Sequence, residues 1–199
     1  MQPISVPLPH LTTAHTGPLH HVEEVILNHL ADIETWFRKK WQETPPSLTS
    51  SVDLRHAGFK LAPVDTNLFP AGFNNLNPDF MPLCIQATQS VLVEYMPHCI
   101  KILIIPENHT RNRFYMQSLA VLKNILTKAG FLVRIGSFDK ELKEPVEIEL
   151  DGNESILIEP LQRQGDRVGL SDFSPCLLLL NNDLSGSLLV FFHILVAGQ

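Results

Sequence analysis

The chain has 199 residues, 44% apolar and 18% charged, which is enough to bury a sizeable core and wrong for a disordered segment. A formal charge of -6 and a pI near 5.8 argue against nucleic acid as a principal partner, because phosphate binding needs a basic surface. The first residues, MQPISVPLPHLTTAHTG, lack the basic start and apolar run of a signal peptide, and the longest apolar run, Leu188 to Ala197 with His193 inside it, is too short to span a bilayer. Cys84, Cys99 and Cys176 form no CxxC pair, and three cysteines without a secretory leader are the expectation for reduced thiols in a cytoplasmic protein.

Residues 1 to 17, rich in Pro, Thr and His, read as an irregular arm. Val22, Ile26, Leu30, Ile33, Phe37 and Trp41 then recur at spacings of three and four, which predicts one amphipathic helix closed by Pro45-Pro46. Its aromatic stripe is expected to be core. The stretch Ser51 to Asn77 is polar and rich in Gly, Pro and Phe, and reads as a binding surface or a solvated loop. Asn77-Pro78-Asp79 caps a second helix, with Pro82 in its first turn and Met81, Cys84, Ala87, Val91 and Tyr95 on its buried face.

Ile100 to Ile105 is an apolar strand, Thr110 to Lys128 a helix closed by Gly130, and Phe131 to Ile135 a second strand. That spacing predicts a βαβ unit with parallel pairing, and a doubly wound α/β sheet as its extension. Val146 to Leu150 and Ser155 to Ile158 read as a hairpin turning at Asp151-Gly152-Asn153, residues 162 to 175 as a loop, and Cys176 to Leu180 as a buried strand.

Ligands of open α/β sheets lie beyond the carboxyl ends of the strands. Two such ends are polar here, Glu107-Asn108-His109 and Asn181-Asn182-Asp183, each a crevice lining or an ordinary turn or cap. There is no Walker A, GxGxxG, HExxH or GxSxG sequence. His21 and His29 lie about 12 Å apart on a helix, too far to share an ion, so no protein-built metal site is expected.

Within 51–77 the residue types suit an amino-acid zwitterion. Arg55 can hold a carboxylate through two parallel hydrogen bonds, and Asp53 or Asp65 can receive an ammonium group. Asn67, Asn74 and Asn75 both donate and accept. The bland alternative is a solvated loop with one internal Arg–Asp pair.

The run SVDLRHAGFKLAPVDTNLFPAGFNNLNP, with the helix ending in Trp41 before a Pro pair and the later LLLLNNDLS, resembles the proteobacterial type of glutamate–cysteine ligase from about residue 20 to about 185. The resemblance implies an α/β, parallel-sheet N-terminal domain of an ATP-grasp-like ligase. It implies an ATP- and Mg²⁺-dependent reaction in which glutamate is phosphorylated on its γ-carboxylate and cysteine displaces phosphate, the first step of glutathione synthesis. Asp53, Arg55, Lys60, Asp65, Asn67, Asn74 and Asn75 then become the substrate-side candidates, with Asn181, Asn182 and Asp183 lining a crevice. Small-molecule substrates, glutamate and cysteine, are the expected partners, in a cytoplasmic protein without membrane or nucleic-acid partners and with oligomerisation open.

Family members are about twice this length, and residues 186–199 depart from the family's pattern. The expectation is therefore a substrate-side domain over 18–185 followed by an atypical apolar tail, from truncation or a frameshift, or a native short form with a buried last strand. Two other functions stay open: a non-catalytic α/β module binding an amino acid or a partner protein, and another ATP-dependent carboxylate–amine ligase.

Overall fold

The computed structural model describes residues 19–57, 61–107, 112–181 and 194–196. The chain divides into two compact units, Met1–Asn67 and Leu68–Gln199, where the sequence predicts one domain over 18–185. The boundary falls inside the polar run, so its two halves belong to different units. The expected arm, and all of the tail except 194–196, lie outside the described residues.

Unit 1 contains α1 (Leu19–Asn28), α2 (Leu30–Glu43), β1 (Ser51–His56) and β2 (Leu61–Asn67). The single predicted helix is therefore broken, and the break has a local cause. The His29 N–H divides itself between the carbonyls of Val25 and Ile26, each at 3.2 Å, and its ring Nδ1 donates to the Val25 carbonyl at 2.8 Å. A side chain competing for a helix acceptor interrupts the ladder at that turn. The aromatic stripe is not core: α2 buries none of its residues, and Trp36, Phe37 and Trp41 are exposed. Burial follows available cover, and the periodicity names only the face that seeks it. β1 and β2 pair antiparallel as a two-stranded ribbon, so much of the expected loop is regular structure.

Unit 2 contains α3 (Met81–Tyr95), β3 (Lys101–Pro106), α4 (Arg113–Lys128), β4 (Leu132–Ser137), β5 (Val146–Glu149), β6 (Ser155–Pro160), β7 (Gln162–Gln164), β8 (Arg167–Gly169), β9 (Leu177–Asn181) and β10 (Ile194–Val196). One six-stranded sheet runs in the order β10-β9-β3-β4-β6-β5. β9, β3, β4 and β6 pair in parallel, while β10 and β5 close the two edges antiparallel. The fold is thus mixed α/β around a parallel-containing sheet. Ile102 to Ile105 and Leu177 to Leu180 are buried throughout, as strands covered on both faces must be. Each such side chain contributes roughly 2 kcal/mol of burial free energy.

The predicted βαβ unit is present. Asn112 caps α4 by accepting from the Phe114 and Tyr115 N–H groups at 3.0 and 3.3 Å. Gly130, at φ 103°, closes it in the left-handed region. The predicted 146–158 hairpin is β5 and β6, turning through Gly152.

Four further expectations need correction. α3 half-buries Met81, Cys84, Ile85, Thr88 and Val91 and buries Leu92, while Ala87 and Tyr95 stand exposed. The buried stripe therefore drifts one position from the predicted one. Among the described residues, helices do not cover both sheet faces. α4 packs on β4 and β6, but Leu103, Ile105, Leu178 and Leu180 on the other face pack under Leu170 and Phe173, with Phe69, Leu161 and Val168 at the rim. The 162–175 segment, expected as a loop, is the β7–β8 hairpin and the turn that supplies this cover.

Charge fixes that turn. Arg134 on β4 donates Nε to Glu159 Oε1 at 2.6 Å, pairs a second time with the same carboxylate, and reaches Asp172 Oδ1 at 2.6 Å. Its guanidinium lies 5.3 Å from the Phe173 ring centroid. The fourth correction concerns the thiols: Cys99 and Cys176 are joined as a disulfide with Cα atoms 5.5 Å apart, and Cys84 alone is free. The register setting Ile102 opposite Leu177 brings together the segments that precede β3 and β9.

Candidate functional site

The first half of the polar run owes its chemistry to strand register. Residues paired across antiparallel strands share a face. Ser51 pairs with Asn67, Asp53 with Asp65, and Arg55 with Ala62; between them Val52 pairs with Thr66, Leu54 with Pro63 and His56 with Leu61. The register shifts at Asp53/Leu54, leaving Val64 as an extra residue in β2. That bulge keeps the faces sorted. Without it, Pro63 and Leu61 would share the face of Asp65 and Asn67. With it, Asp53, Arg55, Asp65 and Asn67 gather on one side, and Val52, Leu54, Pro63 and Leu61 on the other.

The polar face carries an electrostatic imbalance. Asp53 stands directly opposite Asp65, an arrangement that disfavours the ribbon while both are ionised. Arg55 is the cation on the same face, two residues along β1. All three side chains are exposed, and no ion pair among the described residues involves any of them. The internal Arg–Asp pair of a plain solvated loop is thus not among them. Lys60 lies outside the described residues, in the segment between β1 and β2.

The second half of the run sits in unit 2 as a braced turn. Phe73–Asn75 forms one turn of 3-10 helix, and the Phe73 N–H donates to Ser118 Oγ on α4 at 3.2 Å. Asn74 is half-buried and Asn75 exposed. Asn77 accepts from the Asp79 N–H at 3.0 Å, capping the turn that leads into α3. These bonds fix backbone and leave the Asn75 amide at the surface.

Asn181, at the carboxyl end of β9, is 5% exposed and belongs to this brace. Its Nδ2 donates to the Pro70 carbonyl at 3.0 Å. The Tyr115 hydroxyl, from α4, donates to the Asn181 carbonyl at 2.8 Å, lies 3.1 Å from Asn181 Oδ1, and accepts from the Glu107 N–H at 2.9 Å. Burial pushes the Tyr115 phenol well above its ordinary value, so it remains a donor. The knot ties the ends of β3 and β9 to the second half of the polar run. Asn182, Asp183, Asn108 and His109 lie outside the described residues.

Sequence reasoning misses this brace. Tyr115 falls on the apolar face that Leu119, Leu122 and Leu126 draw along α4, and Ser118 has no pattern at all. The available signal is a tyrosine on a buried helix face near polar strand ends, since a buried hydroxyl requires a partner.

Comparison with known proteins gives a consistent result. The glutamate-cysteine ligase (GshA) family profile matches residues 23–196. That span includes most of the tail that composition sets apart. Among solved structures, a protein from Methylobacillus flagellatus KT named as a gamma-glutamylcysteine synthetase is similar at 54% identity, with a TM-score of 0.78 over 91% of this chain. The match covers 43% of that protein's chain, so the present chain spans less than half the length of its relative. Comparison with curated proteins finds no significant match.

Proposed function

The chain belongs to the glutamate-cysteine ligase family, and from that premise we propose that its polar ribbon is the glutamate-binding side of an ATP-dependent ligase forming γ-glutamylcysteine. The observation that carries the reading is the ribbon face itself, where a cation and two opposed carboxylates stand without ion-pair partners among the described residues. Arg55 matches the α-carboxylate of an amino acid in bidentate geometry. An α-ammonium group placed against Asp53 and Asp65 relieves the repulsion between them. Asn67 and Lys60 are the further candidates in unit 1. Asn74, Asn75, Asn182 and Asp183 are those in unit 2.

This arrangement also accounts for selectivity between the two carboxylates of glutamate. Holding both charged groups on the α-carbon leaves the γ-carboxylate as the one not engaged, so orientation alone determines which is activated. ATP and cysteine are substrates of the proposed reaction. Among the described residues no group of three His, Cys, Asp or Glu side chains can hold a metal ion, and no glycine-rich phosphate loop precedes a helix. No nucleotide–Mg²⁺ site is therefore assigned among the described residues, and no step is routed through one. Likeness to ATP-grasp enzymes belongs to the proposal, with the parallel sheet as its support. So does a cytoplasmic setting; among the described residues no helix is long and apolar enough to cross a membrane.

The test is a chimera in which residues 23–181 replace the matched portion of the Methylobacillus protein. The chimera is expected to make γ-glutamylcysteine from ATP, glutamate and cysteine. Arg55→Ala within it should raise KM for glutamate about 100-fold, the value of a charge-assisted bidentate contact, with KM for ATP unchanged. Equal loss of both would make Arg55 a structural residue, and a folded chimera without product would contradict the activity.

A further inference from the structure

Among its described residues unit 1 has no interior: Val22 alone is buried. Helices of 10 and 14 residues are marginal in water by themselves, and so is a two-stranded ribbon. Their stability has to come from cover over their apolar faces. The polar side of α2 is largely satisfied, since Arg38 lies 3.7 Å from Glu34 and Lys40 donates to Glu43 at 2.8 Å. Its other side is not. Leu30, Phe37 and Trp41 form a stripe with 47%, 42% and 49% of their surface exposed, and Trp36 stands beside it. The ribbon repeats the pattern, with Val52 and Leu54 more than half exposed on the face away from the charges.

We propose that these two apolar faces are the seat of the additional polypeptide that longer members of the family carry. The solved relative is 54% identical over the match, yet more than half of its chain has no counterpart here, because the match covers 43% of it. An apolar face selects its partner by burial rather than by charge, as the surface between parts of one chain does. This rests on membership of the family and on no assignment of substrate.

Hydrogen exchange on this chain and on the Methylobacillus protein tests it. In this chain, amides of 30–43, 51–56 and 61–67 are expected in the fastest class, and the aligned amides of the Methylobacillus protein about tenfold slower or more. Segments 101–106 and 177–181 should be equally protected in both. Fast exchange of the aligned segments in the longer protein overturns the proposal, since nothing covers them there. Protection in the shorter chain alone also overturns it, because another part of that chain would be the cover. Protection that grows with concentration of the shorter chain makes a second copy the occupant, and overturns it as well. Iodide quenching is a second measurement, because Trp36 and Trp41 are the chain's two tryptophans. Both are expected to be accessible in the shorter chain, and shielded tryptophans would contradict the proposal.

Discussion

The ribbon of unit 1 and the strand ends of unit 2 draw on similar residues and use them oppositely. At the end of β9, Asn181 and Tyr115 direct every polar atom described for them inward, holding Pro70 and Glu107 in place. On the ribbon, Asp53, Arg55 and Asp65 enter no ion pair among the described residues. Where a fold satisfies its own polar groups, those groups are structure. Where it leaves opposed charges in solvent, a ligand is the economical explanation.

Stability measurements can break or sharpen this contrast. The largest effect should come from reducing the Cys99–Cys176 bond, which closes a 77-residue separation. Chain-entropy reasoning gives about 4 kcal/mol for a loop of that size, read as a lower denaturation midpoint under dithiothreitol. Such a bond is unusual in a reducing compartment. Three alkylatable thiols without reductant, in place of the one expected, would show it absent. Next comes Ile104→Ala in the centre of the sheet, at about 3 kcal/mol in urea unfolding.

Tyr115→Phe should cost about 1 kcal/mol, because it leaves the Glu107 N–H without its hydroxyl acceptor while preserving packing. A loss no larger than that of an exposed substitution would mean that the brace is dispensable. The smallest effect concerns Asp172, whose carboxyl is held below its ordinary value by the hydrogen bond from Arg134. Its folded-state pKa is depressed, so its stabilisation is present above the unfolded value and is lost as pH falls through the folded one. Asp172→Asn should slightly flatten the acid limb of a stability–pH curve. An unchanged acid limb would leave the Arg134–Asp172 contact without energetic weight.

Much of unit 2 is legible in the sequence because its elements announce themselves locally. IKILII and CLLLL are buried parallel strands, Gly130 closes α4, and Asp151-Gly152-Asn153 turns a hairpin. The β7–β8 hairpin is not legible, because Gln-Arg-Gln and Arg-Val-Gly carry no alternation to speak of and are held by the sheet beneath. Periodicity finds the apolar face of α2 but does not say whether anything covers it. The residue types of the ribbon point to a zwitterion site, whereas their convergence on one face depends on a bulge at Asp53/Leu54 that no local signal encodes.

The central claim is that the opposed carboxylates receive the ammonium group of glutamate. Glutarate, which lacks that group, provides the comparison, titrated calorimetrically against the chimera and against its Asp53→Asn/Asp65→Asn variant. Preference for glutamate over glutarate by about tenfold or more in the parent, lost in the variant, is the predicted result. Preference retained in the variant would place the ammonium group elsewhere and contradict the account.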